Sequence, residues 1–167
     1  MHDFLLDLSR QRRYWALLVL LGIALEAVAL YYQYALDEWP CVLCIHIRIA
    51  VMGFILVGLV GLFSVDSMPL QRLLHGLNTL VMAWFVERSY QVLAVERGWT
   101  FGDCDLELGM PSWLAFDRWL PPLFEVKTSC GYTPYILFNI SMAESLLAIS
   151  VILLILSAVL FVYSWLD

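Results

Sequence analysis

The chain has 167 residues, of which 62% are hydrophobic and only 14% charged. A soluble domain is typically about half apolar and a quarter charged, so this composition excludes an ordinary water-soluble fold and belongs in lipid. The net charge of −6 comes largely from one loop, and with a pI near 4.9 nothing favours binding of nucleic acid.

Crossing about 30 Å of hydrocarbon takes roughly 20 helical residues. Arg10, Arg12 and Arg13 precede the first segment of that length, Tyr14–Tyr34, whose only charge is Glu26. This start also resembles a signal peptide with a cleavage site near Ala27-Val28-Ala29. The apolar character continues through Leu30-Tyr31-Tyr32, which favours an uncleaved span. Val42–Phe63 is the second segment and carries only Arg48. The third and weakest, 72–95, contains His75, Glu87 and Arg88. A Glu87–Arg88 pairing that makes the bundle interior tolerable is the simplest reading of those two charges. The fourth, about 145–165, includes Leu146–Trp165, twenty residues without a charge. No segment alternates with period two over a strand length, which argues against a β-barrel. The expected fold is an all-α membrane protein, one integral domain over 1–167. It is a four-transmembrane-helix bundle (spans about 14–34, 42–63, 72–95 and 145–165) with a long outer loop over about 96–144.

Lys and Arg accumulate in loops on the cytoplasmic side. The N-terminal tail and the 64–75 connection hold Arg10, Arg12, Arg13 and Arg72, whereas the much longer Gln33–Pro40 and Glu96–Glu144 connections hold only Arg97, Arg118 and Lys127. That bias predicts both termini inside and the cysteine-bearing regions outside.

The chemistry concentrates in W-P-C-V-L-C-I-H-I-R, residues 39–48. Pro40 suits the first turn of a helix, which would put Cys41 and Cys44 on one face at the N-terminal end of the second span. The partial positive charge there favours thiolates. Arg48, four residues after Cys44, lies on the same face about 6 Å deeper. An arginine within a span is expensive and by default marks function; here it can face a thiolate or an acceptor gaining electrons. His46 points away from that stripe. Competing readings are a structural disulfide, which closes too small a loop to stabilise much, and half a metal site. Cys104 and Cys130 form no second C-x-x-C, so no metal is expected. A c-type haem needs His directly after the second cysteine, where Ile45 stands.

Cys104 and Cys130 both sit in turn-like outer sequence, T-F-G-D-C-D and K-T-S-C-G-Y, and an oxidising compartment would permit disulfides. Between them, Trp113, Phe116, Trp119, Leu120 and Leu123 fall within a third of a helical turn. That pattern predicts a short amphipathic helix lying parallel to the membrane in the headgroup region.

W-P-C-V-L-C followed by Arg48, the preceding A-L-E-A-V-A-L-Y-Y-Q, Cys104 after the third span, Cys130 before the fourth, and P-S-W-L with D-R-W-L-P together resemble the DsbB family of disulfide bond formation proteins. The resemblance covers essentially the whole chain. In that family the DsbA–DsbB–quinone system keeps the bacterial periplasm oxidising. It implies an inner-membrane bundle that reoxidises a periplasmic DsbA-like, thioredoxin-fold dithiol oxidase and passes electrons to quinone, either ubiquinone or menaquinone. It also implies roles: Cys104 is attacked by the partner, Cys130 exchanges with Cys41, Cys44 addresses the quinone, and Arg48 contributes to holding it. The rival readings are an oxidoreductase of the vitamin K epoxide reductase type and a structural subunit braced by two disulfides. Glu26 has no part in the implied mechanism.

Overall fold

Long apolar runs free of proline satisfy their backbone hydrogen bonds internally only as helices when water is absent; three such helices and one longer, more polar helix organise the described residues. The computed structural model describes residues 12–100, 109–110, 115–137 and 140–165. Helix α1 spans Arg12–Ala35, α2 Val42–Phe63, and α3 Met68–Glu96. Two single turns follow, α4 (Phe116–Trp119) and α5 (Pro121–Phe124), then a short hairpin of β1 (Tyr135–Leu137) and β2 (Ile140–Ser141), and finally α6 (Met142–Tyr163). Helix α2 packs between α1 and α3, and α3 packs on α6.

Helices α1, α2 and α6 are each long and apolar enough to cross a membrane. Many of their large side chains point outward, among them Leu17, Leu56, Phe63 and Ile152. Apolar surface this extensive marks a membrane or an interface rather than a water-facing monomer. Helix α3 reaches 29 residues but is far more polar. Its polar groups turn inward at the end of the bundle opposite the cysteines. Trp15 Nε1 donates to Gln71 Oε1 at 2.9 Å, and Gln71 Nε2 donates to the Gly61 carbonyl at 3.2 Å. Asn78 Nδ2 donates to Tyr14 Oη at 3.1 Å and to Ser157 Oγ at 2.9 Å. His75 is fully buried, its ring 4.7 Å from that of Trp15. Interhelical hydrogen bonds of this kind, together with small residues at contacts, hold helices together where no hydrophobic drive exists in lipid. Gly22, Gly58 and Gly61 serve the α1–α2 contact: a Cβ on Gly61 would lie 2.3 Å from the Trp15 ring.

Three local departures from the sequence expectation have identifiable causes. The outer amphipathic helix is broken in its described part into α4 and α5, because Pro121 and Pro122 force Leu120 to φ −137°, ψ 66°. Residues 111–114, including Trp113, lie outside the described residues. The hairpin β1–β2, pairing Tyr135 with Ser141 and Leu137 with Ile140, is too short to show as an alternation in sequence. The Glu87–Arg88 pair forms, with Arg88 Nε 2.9 Å from Glu87 Oε2, close enough for an ion pair although not aligned as a hydrogen bond. It sits on the outer surface of α3 rather than inside the bundle, since Glu87 is exposed.

Candidate active site

The turn from α1 to α2 builds the site. Glu38 N–H returns to the Tyr32 carbonyl at 3.1 Å, and Asp37 takes a left-handed conformation, φ 54°, that reverses the chain. Pro40 stands just outside the helix rather than in its first turn. Cys41 is the N-cap, and its sulfur accepts the Cys44 N–H at 3.3 Å. The two sulfurs lie 2.7 Å apart, so the pair is poised over a single helical turn.

The Cys130 thiol hydrogen-bonds Cys41, bringing a third cysteine to the same point. That contact favours ionisation of Cys41. The hydrogen bond Cys41 gives to Cys44 and its own burial outweigh it, and its pKa lies above the ordinary thiol range. At Cys41 this opposes the lowering expected of the helix N-terminus. Cys104 lies outside the described residues.

The loop before Cys130 is pinned to this region. Lys127 N–H donates to the Pro40 carbonyl at 3.2 Å, and the Lys127 ammonium stands 4.4 Å from the centre of the Trp39 ring. On α1, Gln33 Nε2 and Tyr34 Oη both donate to the Pro122 carbonyl, at 3.2 and 2.5 Å.

Arg48 is buried, 5% exposed, and does not reach toward the surface. Its Nη1 donates to Gln33 Oε1 at 2.6 Å and to the Leu123 carbonyl at 2.9 Å, and its Nη2 donates to the Ala29 carbonyl at 3.1 Å. Three of the five guanidinium N–H donors are thus used to bind α1 and the outer loop, and the positive charge also acts on Glu26 and Cys44. His46 lies elsewhere, its ring 6.2 Å from Trp84 of α3.

Cys41, Cys44 and Arg48 share the wall of a cavity of about 280 Å³ between α1, α2, α3, the segment before β1, and α6. Apolar side chains such as Leu25, Ile47, Val51 and Val92 form most of it, with Glu26 on the α1 side. An apolar cavity near the lower end of the roughly 300–1,000 Å³ typical of ligand sites, with a few convergent polar groups, suits a small organic molecule. Sequence reading missed Glu26, Gln33 and the Ala29 and Leu123 carbonyls as parts of this site. Glu26 and Gln33 carried a signal, since a spacing of seven places both on one face of α1.

A helical membrane protein that gathers three thiols at one end of its bundle, beside a buried arginine and an apolar cavity, belongs to the thiol-redox class. The comparisons are specific. The family model described as Disulfide bond formation protein DsbB matches residues 11–160, and the chain belongs to the DsbB family. It is 33% identical over 141 residues to Disulfide bond formation protein B of Shewanella denitrificans, covering 84% of this chain and 81% of the relative. It is 30% identical over 164 residues to the protein of that name from Photorhabdus laumondii, covering 97% and 96%. With Disulfide bond formation protein B 2 of Pseudomonas aeruginosa it shares 33% identity over 153 residues, 88% of each chain. The chain is therefore a membrane oxidoreductase of disulfide bond formation.

Proposed function

We propose that the chain is a thiol:quinone oxidoreductase of the bacterial inner membrane. Two partner thiols, on a periplasmic DsbA-like oxidase, lose two electrons and two protons and become a disulfide. The Cys104–Cys130 pair receives the electrons first and the Cys41–Cys44 pair second. Quinone, when bound, supplies a two-electron, two-proton acceptor and leaves as quinol. Cys104 takes the partner's thiolate in a mixed disulfide, Cys130 exchanges with Cys41, and Cys44 faces the acceptor. The observation that carries this reading is the contact of Cys130 with Cys41, which lines the same cavity as Cys44 and Arg48. Two disulfides serving only to brace a loop have no need to meet.

The test is quinone reduction by purified protein supplied with a reduced DsbA-like protein. Wild type is expected to consume one quinone per partner disulfide formed, and Cys130→Ser to accumulate a Cys104–partner adduct visible on a non-reducing gel. Partner oxidation at the normal rate by Cys104→Ser would overturn the order of transfer. A lack of quinone consumption by wild type would leave the structural reading standing.

A further inference from the structure

Glu26 lines the cavity and has no part in the scheme above. It sits on α1 nine residues before the helix ends at Ala35, about 13 Å along the axis, well inside a candidate span. A carboxyl at such depth is costly and by default functional. Its Oε1 is buried and has no hydrogen-bond partner, and Glu26 makes no ion pair among the described residues. Arg48 is near enough to act on it, yet its three hydrogen bonds go to Gln33, Ala29 and Leu123. A carboxyl oxygen left open on a cavity wall, with a fixed positive charge nearby and two thiols on the same wall, is arranged to handle a proton.

We propose that Glu26 is the proton donor of the acceptor cavity. The inference rests on the thiol:quinone reading. As Cys41 and Cys44 form their S–S bond, two S–H bonds break, and two electrons and two protons leave the pair. The electrons reduce the quinone, whose two oxygens must each gain hydrogen. At one oxygen the O–H of the Glu26 carboxyl breaks as the quinol O–H forms. The carboxylate is then reprotonated by one of the two protons released from the thiol pair; the other leaves to water, and the second quinol proton enters from water. Overall, two thiols and one quinone become one disulfide and one quinol, and Glu26 ends as it began. The other titratable or charged groups lining the cavity are Arg48 and the two thiols from α2 and its cap, Tyr32, Asp37 and Glu38 from α1 and its turn, and Tyr132 before β1; α3 and α6 contribute only apolar side chains.

The experiment compares wild type with Glu26→Gln and Glu26→Asp, using decylubiquinone and a reduced DsbA-like protein. General-acid groups commonly contribute about 10²–10⁴-fold, so Glu26→Gln is expected to lower kcat at least tenfold and to erase one inflection of the kcat–pH profile. Glu26→Asp keeps an acid at shorter reach, and is expected to lose less rate and to retain an inflection. A second readout needs no turnover. The infrared spectrum of the purified protein should contain a protonated-carboxyl C=O band that moves when decylubiquinone is added and is missing in Glu26→Gln. An unchanged pH profile, a rise in quinone KM alone, or a band that survives in Glu26→Gln would overturn the proposal. If Glu26→Gln melts abnormally, loss of the inflection in Glu26→Asp decides against it equally. A wild-type protein that reduces no quinone would defeat the thiol:quinone reading itself, while the band assignment would still stand or fall separately.

Discussion

At the scale of single residues, Arg48 has two duties that substitution should separate. Its bonds to Gln33, Ala29 and Leu123 tie α2 to α1 and to the outer loop, while its charge reaches Cys44. Donors aimed at charge developing in a poorly solvated site are commonly worth about 3–4 kcal/mol. Arg48→Ala is therefore expected to slow quinone-dependent turnover about 10²–10³-fold. It should also lower the melting temperature in detergent, because each buried acceptor left unpaired costs about 1–3 kcal/mol. Arg48→Lys, a single point donor in place of a planar fork, should fall between Ala and wild type in both. Steady-state quinone kinetics beside thermal melts check this, and wild-type turnover in Arg48→Ala would reduce the residue to a structural clamp. The sequence made Arg48 legible because a charge inside an apolar run stands out. Its partners were not legible, since two of the three are backbone carbonyls that any residue could supply. The role of Cys41 as helix cap was hidden for a related reason. Pro40 is compatible with either side of a helix start, and only the sulfur contact to the Cys44 N–H settles which.

Among the helices, α1 and α2 approach closely enough that side chains on one occupy the place of side chains on the other. A Cβ on Gly61 would meet three atoms of the Trp15 ring within 2.8 Å, and Trp15 is itself fully buried and bonded to Gln71. Overpacking a well-filled core costs typically 1–3 kcal/mol, so Gly61→Val is expected to destabilise the protein by about that amount or more. A melt in detergent measures it, and an unshifted transition would show that the ring can move aside. Helix boundaries were best read where the apolar run was uninterrupted: α2 begins and ends at Val42 and Phe63 in both readings. Helix α3 was harder, because hydropathy averages over its faces while its polar side chains are grouped inward against Tyr14, Trp15 and Ser157. A helix whose polar side chains bond to other helices looks unfit for lipid when read alone. The outer helix failed for the opposite reason, since its wheel pattern was sound but Pro121-Pro122 broke the backbone that had to carry it.

For the molecule as a whole, the distribution of Arg and Lys predicts a bundle with both termini in the cytoplasm and the thiols outside. Single cysteines placed in loop 64–67 and at the N-terminus of a cysteine-free variant should react with a membrane-permeant maleimide only. Those at 37 and 128 should react with an impermeant one, and the reverse pattern would invert the topology and remove the oxidising compartment on which the disulfides depend. The same orientation gives meaning to the pins that fasten the outer loop to the thiol end of the bundle. The loop is held at Pro122 and Leu123 by α1 and Arg48, and again at Lys127 by Pro40 and Trp39. Cys130 follows the last pin by three residues, while Cys104 precedes the first by eighteen. At about 3.3–3.6 Å per residue, Cys130 has a leash of about 10 Å, while Cys104, eight residues after α3 ends at Glu96, has one of about 26–29 Å. Effective concentration falls as a tether lengthens, so chain length alone allows the loop's two cysteines different volumes. Cys130 returns to Cys41 almost as part of the same site, whereas the longer chain segment to Cys104 is what the proposed exchange with a separate protein requires.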